Sequence, residues 1–344
     1  MMLIFDNYQT VVGSSDFKIG DLAVFVPPDS ILPDKPEYAF LKGHLRIKAV
    51  KLRGVVSQGL VLHAPEGATV GQDVADQLGI VHYVPVPGGG SRGSGGGGGH
   101  GAPCANPPEA GPTYDIDSWF RYGSLLSDGI HVEITEKLDG ANTRASYQDG
   151  KFWMGSRNHY RKDDGSGMFW RVFHKNPWLK RLCKQNPGCV IYGETFGNVQ
   201  ALKYGMTNTE AFRVFDIWTG KRFMHWHEKI TAMKKAMVPT KWEDLWSLCK
   251  DLFNRIVFSD DLRPKPCYNS TPSEDWNDHY VPIIHVGLYK KEDVENYMNG
   301  KTLIPGADHQ REGIVIKPLE EIWSPEIGRL VLKAVSPEFL MGSK

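Results

Sequence analysis

Between Pro87 and Pro112 the chain lacks the means to build a hydrophobic core. Residues 88–101 are nearly all Gly and Ser, and Pro-rich sequence continues to Pro112. Such a stretch buries too little apolar surface to offset its ordering entropy. It predicts a flexible linker over residues 88–112, with a Gly/Ser-rich part reaching roughly 20 Å root-mean-square. The tract does not read as a phosphate cradle, because it has no strand before it, no helix after it and no Lys-Ser/Thr ending. Two folded pieces are expected, residues 1–87 and residues 113–344, and a chain of 344 residues is long enough for two cores.

Lys plus Arg and Asp plus Glu are 40 each, so no whole-chain charge draws in a polyanion. A nucleic-acid surface must be a local patch. The five cysteines are scattered without a CxxC pair, so neither a zinc site nor a disulfide framework is expected. No stretch is apolar enough to span a membrane, and Met1 to Phe5 is too short for a signal-peptide core. An intracellular protein, cytoplasmic or nuclear, is the expectation.

The front piece is β-rich. Ala23 to Val26, Leu45 to Leu52 and Leu60 to Leu62 read as short strands with Gly and Pro between them, which suggests a small barrel. Arg46, Lys48, Lys51 and Arg53 cluster there. They serve either as a charged edge that resists aggregation or as a patch for a phosphate backbone.

The rear piece alternates strands and helices. His131 to Glu136 reads as a strand delivering Lys137, and Asp149-Gly150 joins a hairpin of Thr143 to Tyr147 and Phe152 to Gly155. Val190 to Phe196, Phe212 to Trp218, Gly313 to Lys317 and Arg329 to Lys333 read as further strands. His225 to Ala236, Trp242 to Leu252 and Glu292 to Met298 read as helices, and Asp260 to Tyr280 as a surface loop. The result is an α+β domain built largely on antiparallel sheet.

The chemistry centres on Glu136-Lys137-Leu138-Asp139-Gly140. A lysine becomes a nucleophile only when burial or neighbouring positive charge lowers its pKa. The Asp-Gly that follows makes a tight turn on which phosphates can approach the backbone. Downstream, Arg157 offers a cation. Glu194 puts a carboxylate into an apolar strand, where it needs a ribose hydroxyl, a metal or a cation. Phe212 and Phe215 offer rings, Glu312 a metal-suited carboxylate, and Lys317, Arg329 and Lys333 further cations.

In this order KxDG, SRN, YGETFG, FRVFDIW, REGIVIKP and RLVLK resemble the covalent nucleotidyltransferase superfamily of ATP-dependent ligases and mRNA capping enzymes. The resemblance covers Ser118 to Phe339. DNA ligases and capping enzymes carry an OB domain after the last motif, whereas only eleven residues follow Lys333 here. The front segments DFKIGDL, DSILP, RIKAVKLRG and SQGL are similar to the OB-like N-terminal domain of RNA ligases, the nick-sealing branch of the Deinococcus and Naegleria type. That branch usually begins with an extra strand or two before Tyr8 to Val12, which leaves the completeness of the barrel open.

The resemblance implies an ATP-dependent RNA ligase that seals 3′-OH/5′-phosphate breaks through a lysyl-AMP on Lys137. Mg²⁺ or Mn²⁺ would sit at Asp139, Glu194 and Glu312. Nucleotide contacts would come from Glu136, Asp139, Arg157, Glu194, Phe215 (stacking the adenine), Lys317 and Lys333. The partner would be RNA or an RNA/DNA duplex with a nick, met by a monomer. Related ligases often have a second lysine two positions after Lys333, where Val335 stands here, so Lys317 or Arg329 is expected to supply that cation. A GTP-dependent capping-type transferase, a DNA ligase and a non-catalytic OB-type nucleic-acid binder are the alternatives.

Overall fold

A computed structural model describes residues 2–5, 8–82, 101–165, 167–237 and 276–342. The chain divides into two compact units. One takes Met1–Gly93, Ser118–Ser124 and Ser336–Lys344; the other takes Ser94–Asp117 and Leu125–Val335. Among the described residues, no helix is long and apolar enough to cross a membrane.

The first unit is made of short antiparallel pairs. Met2–Phe5 pairs with Tyr8–Val11, Ala23–Val26 with Leu60–His63, and Val50–Leu52 with Val55–Ser57. The strand left open ahead of Tyr8 is therefore present. Its partner is tied onward, since the Gln58 N–H donates to Gln9 O and the Thr10 and Ser57 hydroxyls meet at 3.0 Å. Val26, Leu32, Tyr38 and Ile47 form a small core. The strand expected over Leu45 to Leu52 is only Val50–Leu52. Residues before it hydrogen-bond singly, Ile47 N–H to Ser30 O and Leu32 N–H to Leu45 O, so the run of alternating residues follows no continuous ladder.

The second unit holds two antiparallel sheets. In one, Ile283–Leu288, His131–Lys137, Gly313–Pro318 and Leu332–Val335 lie side by side in that order. In the other the order is Tyr160–Arg161, Lys151–Ser156, Ala141–Gln148, Val190–Gly197 and Glu210–Trp218. The Asp149-Gly150 turn sets the hairpin register, Gln148 opposite Lys151, with Asp149 left-handed at φ 49°. Helices Met168–Lys175, Pro177–Gln185 and Trp226–Met237 bury Phe169, Val172, Phe173, Leu179, Leu182 and Met233 against this sheet. The first two were not read from the sequence, although Phe169, Val172 and Phe173 sit at the spacing of one helical face. The expected helix Trp242 to Leu252 lies outside the described residues, as does Asp260 to Asp275 of the expected loop. Arg329 and Lys333 do not share a strand. Gly328–Arg329 closes a hairpin with Trp323–Ser324, and Leu332–Val335 starts afresh after a break at Leu330 and Val331.

The linker expectation fails at its second half. Residues 88–100 lie outside the described residues, but residues 101–112 are strapped to the second unit. Cys104 N–H donates to Tyr160 O, and Glu109 exchanges backbone bonds with the Gln148 side chain. Arg144, only 4% exposed, donates to Ala110 O and Ser156 O. The Tyr160 hydroxyl donates to Ala110 O, and that of Tyr192 to Pro112 O. Pro-rich backbone cannot form a ladder, yet its carbonyls remain acceptors for buried side-chain donors that would otherwise be unsatisfied.

A buried ion network joins the two sheets. Asp216, on the edge strand of one, meets Arg329 at 2.8 Å, Lys317 at 3.4 Å and Lys229 at 3.8 Å, and takes the Tyr114 hydroxyl proton at 2.8 Å. Glu133, four residues before Lys137, meets Lys229 at 2.7 Å and Lys317 at 2.9 Å. Burial alone would raise both carboxyls. The surrounding cations outweigh it and hold both below the usual carboxylate range.

Candidate active site

Lys137 ends its strand opposite Gly313, and the residue before that glycine, Glu312, brings Oε1 to 2.6 Å from Lys137 Nζ. Gly140 turns the chain out of the lysine strand toward Ala141–Gln148. A Cβ on Gly140 would lie 2.3 Å from Thr195 O and 3.0 Å from Glu194 Cγ. Glycine at this position lets the lysine turn sit directly on the strand that carries Glu194. Gly140→Ala is expected to push that turn off Thr195, costing about 1–3 kcal/mol of stability. Chemical denaturation measures it, and an unchanged midpoint would contradict the packing.

The charges around Lys137 are unequal. Burial would lower its pKa, but Glu312 first, then Glu194 and Asp139, reverse this and raise it. Burial pushes the Glu194 carboxyl up to about 8, with Lys137 opposing and Glu312 and Asp139 adding to the rise. Glu312 is also raised by burial, against the pull of Lys137. Three acids thus face one amine, and Glu312 Oε2 is buried without a hydrogen-bond partner. This set fits a divalent cation, which would neutralise the surplus and satisfy the orphan oxygen. Among the described residues, no three of His, Cys, Asp or Glu converge as direct ligands. The fit is to an ion held largely through its own water.

The turn is braced from two sides. Asp139 N–H donates to the Tyr204 hydroxyl at 2.7 Å, and Asp139 Oδ2 accepts from Leu202 N–H at 3.0 Å. On the strand's other face, Glu136 accepts from Thr302 Oγ1 at 2.5 Å and Leu303 N–H at 2.7 Å. Asn142, directly opposite Glu194 across the ladder, has a buried Oδ1 without a partner. Sequence reasoning missed Asn142, Tyr204 and Thr302. Only Asn142 left a signal, as a polar residue two positions beyond Gly140 in a strand.

Lys137, Asp139, Glu194 and Glu312 come together as expected. Lys333 lies opposite Val315, close enough for its charge to act on Glu312. Other expected residues meet protein partners here. Glu136 is 1% exposed, and its carboxylate accepts from Thr302 and Leu303, which ties that loop to the lysine strand. Arg157 is ion-paired with Asp115. The Phe215 ring packs against Tyr114, centroids 4.8 Å apart, and its carbonyl accepts from Lys229, Lys317 and Tyr280. Lys317 and Arg329, the expected second cations, are both committed to Asp216. An apolar strand ending in a cation reads the same whether that cation meets a ligand or a buried acid.

In the first unit Arg46 pairs with Asp29 at 2.6 Å, while Lys48 and Arg53 are exposed. Lys51 stands in the Val50–Leu52 strand, and its side chain lies outside the described residues.

A model of the RNA ligase family matches residues 130–335. The chain belongs to the RNA ligase family. The match opens one residue before the lysine strand and closes at the end of the Lys333 strand, so it spans Lys137, Asp139, Glu194, Glu312 and Lys333. A model of an OB-fold domain matches residues 1–64. A comparison with curated proteins finds no match. Among solved structures, a mutant Naegleria gruberi RNA ligase with ATP and Mn is similar at 20% identity and TM-score 0.67, over 98% of this chain and 91% of that one. A second mutant of that ligase, with AMP and Mn, is similar at 21% identity and TM-score 0.68 over the same shares. The same ligase with PPi is similar at 22% identity and TM-score 0.66, over 98% and 90%. These likenesses establish a shared fold, the OB-fold front unit and the antiparallel rear unit together.

Proposed function

We propose that this RNA ligase family member uses ATP to seal 3′-OH/5′-phosphate breaks, acting as a monomer on nicks in RNA or RNA/DNA duplexes. The observation that carries the reading is Lys137 Nζ at the end of its strand, 2.6 Å from Glu312 and within reach of the charges of Glu194 and Asp139. Of the ligands named with the similar Naegleria structures, ATP would be the substrate and pyrophosphate the leaving product of the first step at this site, and AMP the product released by the last.

Lys137 attacks the α-phosphorus, an N–P bond forms as the bond to pyrophosphate breaks, and lysyl-AMP results. The amine must first lose a proton, and Glu312 Oε1 is the nearest acceptor for it. The AMP then passes to a 5′-phosphate on the nucleic acid, and the 3′-OH displaces it to form the phosphodiester. Each step is an in-line displacement, so positioning and charge neutralisation dominate. A divalent cation held by Asp139, Glu194 and Glu312 would supply neutralisation of the phosphate charge. Lys333, whose charge acts on Glu312, suits the phosphates, and Lys48 and Arg53 suit a nucleic-acid backbone.

Labelling with α-labelled ATP against GTP, followed by sealing of a nicked duplex with RNA and DNA exchanged on the 3′-OH side, tests this reading. Label taken only from GTP, or sealing indifferent to RNA, would count against it. The rate of labelling is expected to rise with pH between 6 and 9. Glu194 is protonated below about 8, and Lys137, raised by its acids, must lose its proton to attack. A rate that is flat or falls across that range contradicts the assignment.

A further inference from the structure

We propose that Tyr204 is a positioning residue for adenylate transfer, acting through Asp139. The proposal deepens the function proposed above and rests on it. Tyr204 lies in the connection between Val190–Gly197 and Glu210–Trp218, on the opposite sheet from the lysine strand. Its hydroxyl accepts the Asp139 N–H at 2.7 Å. Two residues earlier in the same connection, Leu202 N–H donates to Asp139 Oδ2 at 3.0 Å. One loop therefore holds both the backbone and the carboxylate of the residue two positions after the nucleophile.

The ring is locked. Tyr204 is 2% exposed, with its edge against Phe196 at 5.0 Å and His309 at 4.7 Å. Its backbone is left-handed at φ 51°, a conformation that a bulky aromatic adopts only where its surroundings over-determine it. The next residue explains the constraint. A Cβ on Gly205 would lie 2.7 Å from Gly306 O, so the Tyr204 connection is pressed onto the loop that carries Thr302 and Leu303. That loop holds Glu136, the residue before the nucleophile. The nucleophile's two flanks are thus gripped by two loops from opposite sheets, and Tyr204 lies where those loops meet.

The chemistry needs such a grip. Asp139 is one of three acids expected to share a hydrated ion, and a carboxylate free to rotate would hold that ion poorly. The bond from Leu202 selects one carboxylate orientation, and the bond to Tyr204 fixes the turn from which it projects.

The full chain with Tyr204→Phe tests the idea, because it removes only the accepting oxygen. Single-turnover adenylation with α-labelled ATP is expected to slow by on the order of tenfold. The Mn²⁺ concentration for half-maximal rate should rise severalfold, and the fraction of molecules labelled at long times should stay that of the unaltered chain. Amide hydrogen exchange at Asp139, measured without nucleotide, should speed up while exchange in the sheets does not. An unaltered rate and Mn²⁺ dependence would overturn the proposal. So would a lost labelled fraction at unchanged Mn²⁺ dependence, the mark of a residue that only keeps the protein folded. If the unaltered chain takes no adenylate at all, the proposed function fails. The exchange comparison then decides separately whether Tyr204 holds the turn, and unchanged Asp139 exchange overturns it.

Discussion

Lys137→Ala protein is expected to take up no covalent nucleotide from α-labelled ATP under conditions that label the unaltered chain. The substitution removes the amine that stands 2.6 Å from Glu312 and faces the charges of Glu194 and Asp139. Lys317, on the neighbouring strand, is held by Asp216 and Glu133 and cannot take its place. Lys137→Arg is expected to be equally inactive, because a guanidinium stays protonated and cannot attack. The fold should survive, since Lys137 closes its strand at the rim of the sheet and contributes no apolar packing. Loss of the ammonium removes the charge that opposes the rise of the Glu194 and Glu312 carboxyls, so both should rise further. If the proposed mechanism holds, the variant should still join RNA whose 5′ end already carries AMP, because the lysine would serve only the earlier steps. Label retained on the Ala variant would place the nucleophile elsewhere.

Asp216→Ala is expected to be the most destabilising single change in the second unit, by about 3–5 kcal/mol in chemical denaturation. It removes the carboxylate shared by Arg329, Lys317 and Lys229 and leaves three cations among two acids, Glu133 and Glu321. The desolvation of those cations is not recovered when their partner is gone. The same network makes the unit acid-labile. The folded-state pKa of Asp216 is depressed below its unfolded value, so its contribution is fully present above the ordinary aspartate range and is lost as the pH falls below it. Asp216→Asn keeps the shape and should fall between the two. An Ala variant within about 1 kcal/mol of the unaltered chain would show that the network does not hold the sheets together.

Where a local rule governs a segment, the sequence is legible. The Asp149-Gly150 hairpin, the strand read over His131 to Glu136 and the helix read over His225 to Ala236 follow from turn chemistry and periodicity, and the structure has them within a residue or two, the last two at His131–Lys137 and Trp226–Met237. Lys137, Asp139, Glu194 and Glu312 were legible for another reason. They occur in a motif order that chance does not assemble, and their strands are neighbours in the two sheets. Leu45 to Leu52 misled because alternation is necessary for a strand but does not supply a continuous partner; Arg46 makes one isolated bridge to Ile31, and only Val50–Leu52 forms a ladder. Residues 101–112 misled in the opposite sense. Proline content suggested a free tether, yet buried donors on Arg144, Gln148, Tyr160 and Tyr192 need acceptors and take them from that backbone.

By itself the sequence determined an antiparallel α+β unit behind a β-rich front, and Lys137 with Asp139, Glu194 and Glu312 as the candidate site, because turn preferences, strand period and motif order are properties of residues close together in the chain. Only the tertiary structure decided what Glu136, Lys317, Arg329 and Phe215 do. Each meets its partner far away in sequence: Glu136 at Thr302, Lys317 and Arg329 at Asp216, Phe215 at Tyr114. A buried charge is defined by its nearest opposite charge, and a ring by what it packs against. Local pattern carries no record of either when the two strands lie a hundred residues apart.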